Sequence, residues 1–204
     1  MNSSTDTPEF NIAALQAGDR EEFARMVDAF SAKIYRLALK MLQNQQDAED
    51  ILQETLIKAF KALPRFEGRS SLSTWLYRIA TNEALMQLRR KRPHQISVEQ
   101  PSDDEEQPAP LEIVDWCCLP EGELMTAESR ANLEQVIEEL PHSLRVVFLL
   151  RDIEGMSTKE TADVLDLSEG AVKTRLSRAR LQLREMLSVY YRDRVVLAKQ
   201  AGEV

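Results

Sequence analysis

Sixteen residues, EGAVKTRLSRARLQLR from Glu169 to Arg184, hold five cations and a single acid. On a helix of about 100° per residue, Val172, Leu176, Ala179 and Leu183 gather on one side as a core face. Thr174, Ser177 and Arg178 point the opposite way. Lys173, Arg180 and Arg184 lie along one flank and Arg175 on the other. Short polar groups beside an Arg suit hydrogen bonding to base edges in a major groove, while flanking cations suit phosphates. The ordinary alternative is a solvated basic face on an amphipathic helix. The preceding residues, MSTKETADVLDLSEG, weigh against it because they have the form of the first half of a helix-turn-helix. Ser157 and Glu160 form a capping box, Ala162 is small enough for two helices to approach, and Asp166–Ser168 make the turn. Asp166 takes a place where Gly is common, and Asp tolerates the left-handed conformation.

Two further groups of residues have the types and spacing for binding. In DAEDILQETLIKAFKAL, helical spacing puts Ala48, Ile51, Leu52, Thr55, Leu56, Ala59, Phe60 and Leu63 on a buried side. Opposite them stand Asp50, Glu54, Lys61 and an apolar residue, Ile57. An apolar residue among acids suits docking onto a basic protein partner, although scattered surface Ile residues are common. Farther on, Leu72, Trp75, Leu76 and Ile79 fall at inward positions, and Arg78, Asn82 and Arg89 share one stripe with Trp75 at its edge. A Gly-containing loop with Arg65, Phe66, Arg69, Ser70 and Ser71 precedes that stripe. Cations, an amide, hydroxyls and an aromatic around a loop could hold an unstacked base of single-stranded DNA. Trp75 and Phe66 could equally be core. The RRKR cluster at Arg89–Arg92 is either phosphate contact or a solubilising helix end.

The elements that must position these residues are helices. The chain has 204 residues, 43% of them apolar, with few aromatics, Gly or Pro, and its apolar residues recur at helical steps. A first helix is expected from about Asp19 to Leu42, with Asp19 and Glu22 as its start signal. A second spans Asp47 to Leu63, where Pro64 stops it. A third starts near Ser71–Ser73 and ends at Pro93. A second helical set runs from Leu124 to about Tyr191. Between the sets, Pro93 to Ser129 holds ten acids and no Lys or Arg. Removing that −10 from the total of −8 leaves +2, so the acidic balance does not argue against nucleic-acid binding. The fold class is therefore all-α: two small helical domains joined by an acidic flexible linker, the second with a helix-turn-helix. No apolar run reaches membrane-spanning length and no secretory leader opens the chain, which implies a cytoplasmic protein. The adjacent Cys117 and Cys118 make no disulfide framework, and neither His94 nor His142 has zinc-ligand spacing to them.

With these pieces in order, the chain resembles the small extracytoplasmic-function (ECF) sigma factors of the bacterial sigma-70 superfamily. DAEDILQETLIKAFKAL looks like the family's polymerase-docking helix. FEGRSSLSTWLYRIATNEALMQLRRKR looks like its −10 promoter segment, and LPHSLRVVFLLRDIEGMSTKETADVLDLSEGAVKTRLSRAR like its −35 domain. The resemblance implies an N-terminal tail at 1–11, a polymerase- and −10-binding domain at 12–93, a linker at 94–123, a −35-binding domain at 124–191 and a C-terminal tail at 192–204. It implies that Asp50, Gln53, Glu54 and Ile57 contact core polymerase. The −10 element would fall to Arg65, Phe66, Arg69, Ser70, Ser71, Trp75, Arg78, Asn82 and Arg89. The −35 element would be read by Lys173, Thr174, Ser177 and Arg178, with Arg151, Arg175 and Arg180 on phosphates. Met86 departs from the family, which often carries Asp four residues after the helix-three Asn. The implied partners are core RNA polymerase (β′ clamp helices and β flap), promoter DNA and an anti-sigma factor. The linker would thread the polymerase near its active centre, where acids suit a basic channel. The expected function is promoter recognition and opening, without enzymatic activity, metal or cofactor. The rival is a stand-alone helix-turn-helix regulator of duplex operators. A helical metalloenzyme built on Asp47, Glu49, Asp50 and Glu54 lacks any nearby His.

Overall fold

The computed structural model describes residues 9–91 and 127–201, and these are helical throughout apart from short connections. The acidic linker and the Cys117–Cys118 pair lie outside the described residues. The N-terminal set contains α1 (Ile12–Gln16), α2 (Arg20–Leu42), α3 (Gln45–Ala62) and α4 (Leu72–Lys91), with a 3-10 turn at Leu63–Arg65. The C-terminal set contains α5 (Ala127–Glu139), α6 (His142–Phe148), a π turn at Leu149–Ile153, α7 (Thr158–Leu165) and α8 (Glu169–Ala201).

Side-chain oxygens set the helix starts, each satisfying an otherwise orphaned backbone N–H. Asp19 accepts from the amides of Glu21 and Glu22, both at 2.9 Å, which begins α2 where its start signal predicts. The break after Leu42 is sharper than expected. Gln43 turns left-handed at φ 55°, and Asn44 caps α3 by accepting from the Asp47 amide at 2.9 Å. The second helix therefore starts at Gln45, two residues before the expected Asp47. Gly68 also sits at positive φ (+68°) with open space around its missing Cβ, so backbone conformation rather than crowding favours glycine there. At the other end of the chain, α8 continues past Tyr191 to Ala201, because no Pro or Gly interrupts it before Gly202.

Two apolar clusters form the core. One joins Leu15 of α1, Met26, Phe30 and Ile34 of α2, Ala59 and Leu63, Phe66, and Leu72, Leu76 and Ala80 of α4. The other contains the C-terminal half of α2, Ile51, Tyr77 and Ala84 together with α5 to α8. This second cluster runs across both helical sets. The two helical sets also share a contact surface: α4 packs on α7, and α2 touches α6. Arg145, only 4% exposed, stitches this junction. Its guanidinium donates to the Met41 carbonyl of α2 at 3.4 Å and to the carbonyls of Glu138 and Leu140 at the end of α5. A buried guanidinium is tolerated because it caps carbonyls that the helix ends leave open.

Candidate nucleic-acid interface

The helix-turn-helix forms as its sequence signals predict. The Ser157 hydroxyl accepts from the Glu160 amide at 3.1 Å, and the Glu160 carboxylate accepts from the Ser157 amide at 2.9 Å. These bonds, led by the backbone one, hold the Glu160 carboxyl below the usual carboxylate range. Asp166 ends α7 in the left-handed conformation at φ 55°, and the Leu167 amide returns to the Ala162 carbonyl at 3.0 Å. Ser168 then accepts from the Ala171 amide at 3.1 Å and starts α8. Val172, Ala179 and Leu183 are fully buried and Leu176 nearly so, which aims the opposite face of α8 at solvent. Lys173, Thr174, Ser177 and Arg178 lie exposed on that face.

The three arginines assigned to phosphates are placed differently. Arg180 makes a bidentate pair with Asp152 of the π turn, at 2.9 and 2.7 Å. The carboxylate raises the Arg180 pKa and points its guanidinium across the fold. Arg175 is half-buried, and desolvation draws its pKa down. Arg151 is partly buried and close enough to Glu160 for its charge to help hold that carboxyl down.

On α3, Asp50, Gln53, Glu54 and Ile57 form an exposed stripe, with Ile57 47% exposed. Phe60 belongs to it as well. Helical spacing puts this residue inside, yet it is 52% exposed and meets the Phe23 ring edge-on at 5.0 Å. The wheel angle of Phe60 lies at the edge of the buried sector, and the small Ala59 takes the space against the core instead. An apolar pair three residues apart among acids is the signal that could have identified it.

The loop and stripe around α4 divide into core and surface. Phe66, expected among the −10 contacts or in the core, is 7% exposed: its ring lies 5.1 Å from Trp75, and its carbonyl accepts from Gln16 at 2.7 Å. A ring held that way packs the domain, and Trp75 is left half-buried above it. Ser71 caps α4, accepting from the Thr74 amide at 3.1 Å. Arg65 is exposed, and so is Arg69, which pairs with Glu67 at 2.5 Å. Ser70 is half-buried. Along α4, Arg78, Asn82, Met86 and Arg89 follow one another on an exposed stripe, and the Arg78 guanidinium donates to the Asp163 carbonyl of α7. At the end of α4, Lys91 and Gln87 bond to Asp47, and the Lys91 bond outweighs burial in holding the Asp47 carboxyl low.

Residues 26–94 match the sigma-70 region 2 family, and residues 130–183 match sigma-70 region 4. The chain is 36% identical to the ECF RNA polymerase sigma factor SigW of Bacillus subtilis, over 86% of this chain and 94% of that one. It belongs to the ECF sigma factors. This sigma factor is also 34% identical to the RNA polymerase sigma-H factor of Pseudomonas aeruginosa, over 89% of this chain and 94% of that one. Against the ECF sigma-E factor of Escherichia coli it is 33% identical over 85% and 91%. In fold it is similar to CnrH in its complex with the cytosolic domain of CnrY, with TM-score 0.61, 24% identity, and coverage of 87% of this chain and 95% of that one. It is similar also to the sigma factor RpoE of Bartonella quintana in complex with the anti-sigma factor NepR, with TM-score 0.60, 24% identity, and coverage of 83% and 98%. Relatives that match along most of both chains do not favour the rival reading of a stand-alone operator-binding regulator. Among the described residues, no helix of this sigma factor is long and apolar enough to cross a membrane.

Proposed function

We propose that this sigma factor confers promoter specificity on core RNA polymerase through three surfaces. The exposed α3 stripe of Asp50, Gln53, Glu54, Ile57 and Phe60 docks on the polymerase β′ clamp helices. The α8 face of Lys173, Thr174, Ser177 and Arg178 reads the −35 element, while the C-terminal domain around it meets the β flap. Arg151, Arg175 and Arg180 hold phosphates nearby. Arg65, Arg69, Ser70, Ser71, Trp75, Arg78, Asn82 and Arg89 form the −10 surface, where unstacked bases of one strand are held.

On this reading residues 12–93 and 124–191 are the two functional domains, with 94–123 connecting them. The chain works in the cytoplasm by binding alone: strand opening is driven by the affinity of the −10 surface for bases once they leave the stack. The same surfaces suit an anti-sigma factor, since a protein that covers them blocks polymerase and DNA together. RpoE of Bartonella quintana, of similar fold, forms a complex with the anti-sigma factor NepR.

The observation that carries the proposal is the outward face of α8 behind a fully capped helix-turn-helix, on the same chain as an acid-bordered apolar stripe. Promoter-specific run-off transcription with purified core polymerase tests it. The expected result is a transcript that depends on this chain and on both promoter elements. Failure of the purified chain to bind core polymerase refutes it.

A further inference from the structure

Helix α1 belongs to none of the three binding surfaces, yet it is fastened at both ends. Phe10, just before it, packs on the Phe30 ring at 5.7 Å, and the Asn11 amide donates to the Glu22 carboxylate of α2 at 2.7 Å. Glu22 is itself buried and pairs with Arg25 at 2.5 Å. At the other end Leu15 is buried, and Gly18 turns the chain at φ +81°, a conformation that suits glycine. The Gly18 and Asp19 amides return there to the Leu15 and Ala14 carbonyls. Held in this way, α1 packs on the 3-10 turn, and the Gln16 side-chain amide donates to the Phe66 carbonyl at 2.7 Å. A carbonyl only accepts, so the amide nitrogen of Gln16 is the atom that faces it.

That carbonyl stands where the −10 loop begins. Phe66 leaves the 3-10 turn in an extended conformation (φ −69°, ψ 113°), after its own amide has returned to the Leu63 carbonyl at 3.0 Å. The peptide unit is planar, so fixing the Phe66 carbonyl also fixes the direction in which Glu67 departs. The far end of the loop is a second post: Ser71 accepts from the Thr74 amide and bonds the Ser73 and Thr74 hydroxyls at 2.9 and 2.7 Å. Between the posts run residues 67–70, with Gly68 at positive φ and the Glu67–Arg69 pair exposed. Where this stretch sits is set by its ends.

We infer that Gln16 is a positioning residue of the −10 loop: α1 is a brace whose one bond to the Phe66 carbonyl aims residues 67–70, so that Arg69 and Ser70 meet unstacked bases already in place. The inference rests on the assignment of Arg69 and Ser70 to the −10 element. Without the bond, the carbonyl at this half-exposed edge turns to water and the loop samples other directions. Apparent affinity for the melted strand then falls by the fraction of loops still aimed correctly.

Promoter opening by the reconstituted holoenzyme tests it, read as the open-to-closed ratio on the run-off promoter with 2-aminopurine placed in its −10 element. Gln16→Met keeps side-chain length and helix propensity but has no donor. It is expected to lower the ratio about three- to tenfold, equivalent to ~0.7–1.4 kcal/mol. Gln16→Lys restores a donor and is expected to recover most of that loss. Ala13→Lys combined with Gln16→Met puts the same charge at an exposed position of α1 without the bond, and its ratio is expected to stay low. Affinity for core polymerase, and for a duplex carrying the −35 element of that promoter, is expected to stay within about twofold in every variant. A Gln16→Met ratio within about threefold of the parent overturns the brace. So does equal recovery in the Ala13→Lys combination, or a fall in core affinity that parallels the loss of opening. Arg69→Ala with Ser70→Ala isolates the underlying assignment. Unchanged opening in that pair places the fault in the −10 reading, whereas a loss there with none in Gln16→Met overturns the brace alone.

Discussion

Replacing Ile57 or Phe60 with Ser separates a docking surface from an incidental apolar pair. The side chains are 47% and 52% exposed, so roughly half of each remains for a partner to cover. Half of an aromatic side chain of ~200 Å² is ~100 Å², worth about 2.5 kcal/mol at ~25 cal/mol per Å². The Ile share is somewhat smaller, about 2 kcal/mol. These are upper figures, because association also orders side chains and desolvates the neighbouring Asp50 and Glu54. Each substitution is expected to weaken binding to core polymerase by roughly 10- to 50-fold. The two residues stand three apart on one face, so the double variant need not equal the product of the singles. Phe60 also meets Phe23, and losing that ring contact costs the fold about 1 kcal/mol. Ile57 is about half exposed, and its loss leaves stability nearly unchanged. Competition binding of a labelled chain to purified core polymerase, beside a urea melt of each variant, gives both quantities. Affinities within about threefold of the parent, a change of under ~0.7 kcal/mol, for both variants refute the docking role.

Arg178→Ala is expected to cost about 1–3 kcal/mol at a cognate −35 site and to relax base preference there. Lys173→Ala should instead weaken all sequences alike and reduce the salt slope by about one; duplex-binding titrations at several salt concentrations distinguish them, and equal loss of preference in both rejects the division of labour. Phe66→Ala should destabilise the fold by about 3–5 kcal/mol in urea, as loss of a buried aromatic does, whereas a cost under ~1 kcal/mol would refute its packing role. Asp47 and Glu160 both have lowered pKa values in the fold, through Lys91 and Ser157 respectively. Their stabilisation is complete above the ordinary carboxylate values of 3.8 and 4.5 and is lost as pH falls through the lowered ones. Acid titration of stability should therefore be flatter in Asp47→Asn and Glu160→Gln, and unchanged steepness in both contradicts the assignment.

Local chemistry made much of the molecule legible in its sequence. Asp19 and Ser157 announced helix starts because a short side chain ending in oxygen satisfies backbone amides two or three residues away. Pro64 stood where α3 gives way to a 3-10 turn, and Asp166 where α7 gives way to the left-handed turn. The core side of α8 followed from spacing alone, since Val172, Leu176, Ala179 and Leu183 fall on one line whatever they pack against. The α3 start was misplaced by two residues, because Asn44 caps from within a polar run that also ends α2.

What tertiary structure decided is which of two plausible places a side chain occupies. Phe60 and Phe66 are the same residue type six positions apart, and only packing sends one outward and the other beneath Trp75. Arg180 reads from sequence as one more groove cation, yet Asp152, 28 residues away in the chain, fixes it in a bidentate pair. The junction of α4 with α7 is further still from sequence reasoning, because Tyr77 and Glu154 stand 77 residues apart. Sequence by itself determined the helices, their faces and the family, all of which depend on neighbours within a turn or two or on ordered motifs. Burial at the margins of those faces, and the closure of one domain on the other, depend on surfaces that meet only when the chain has folded. No periodicity along the chain encodes which distant carboxylate or carbonyl a side chain will find.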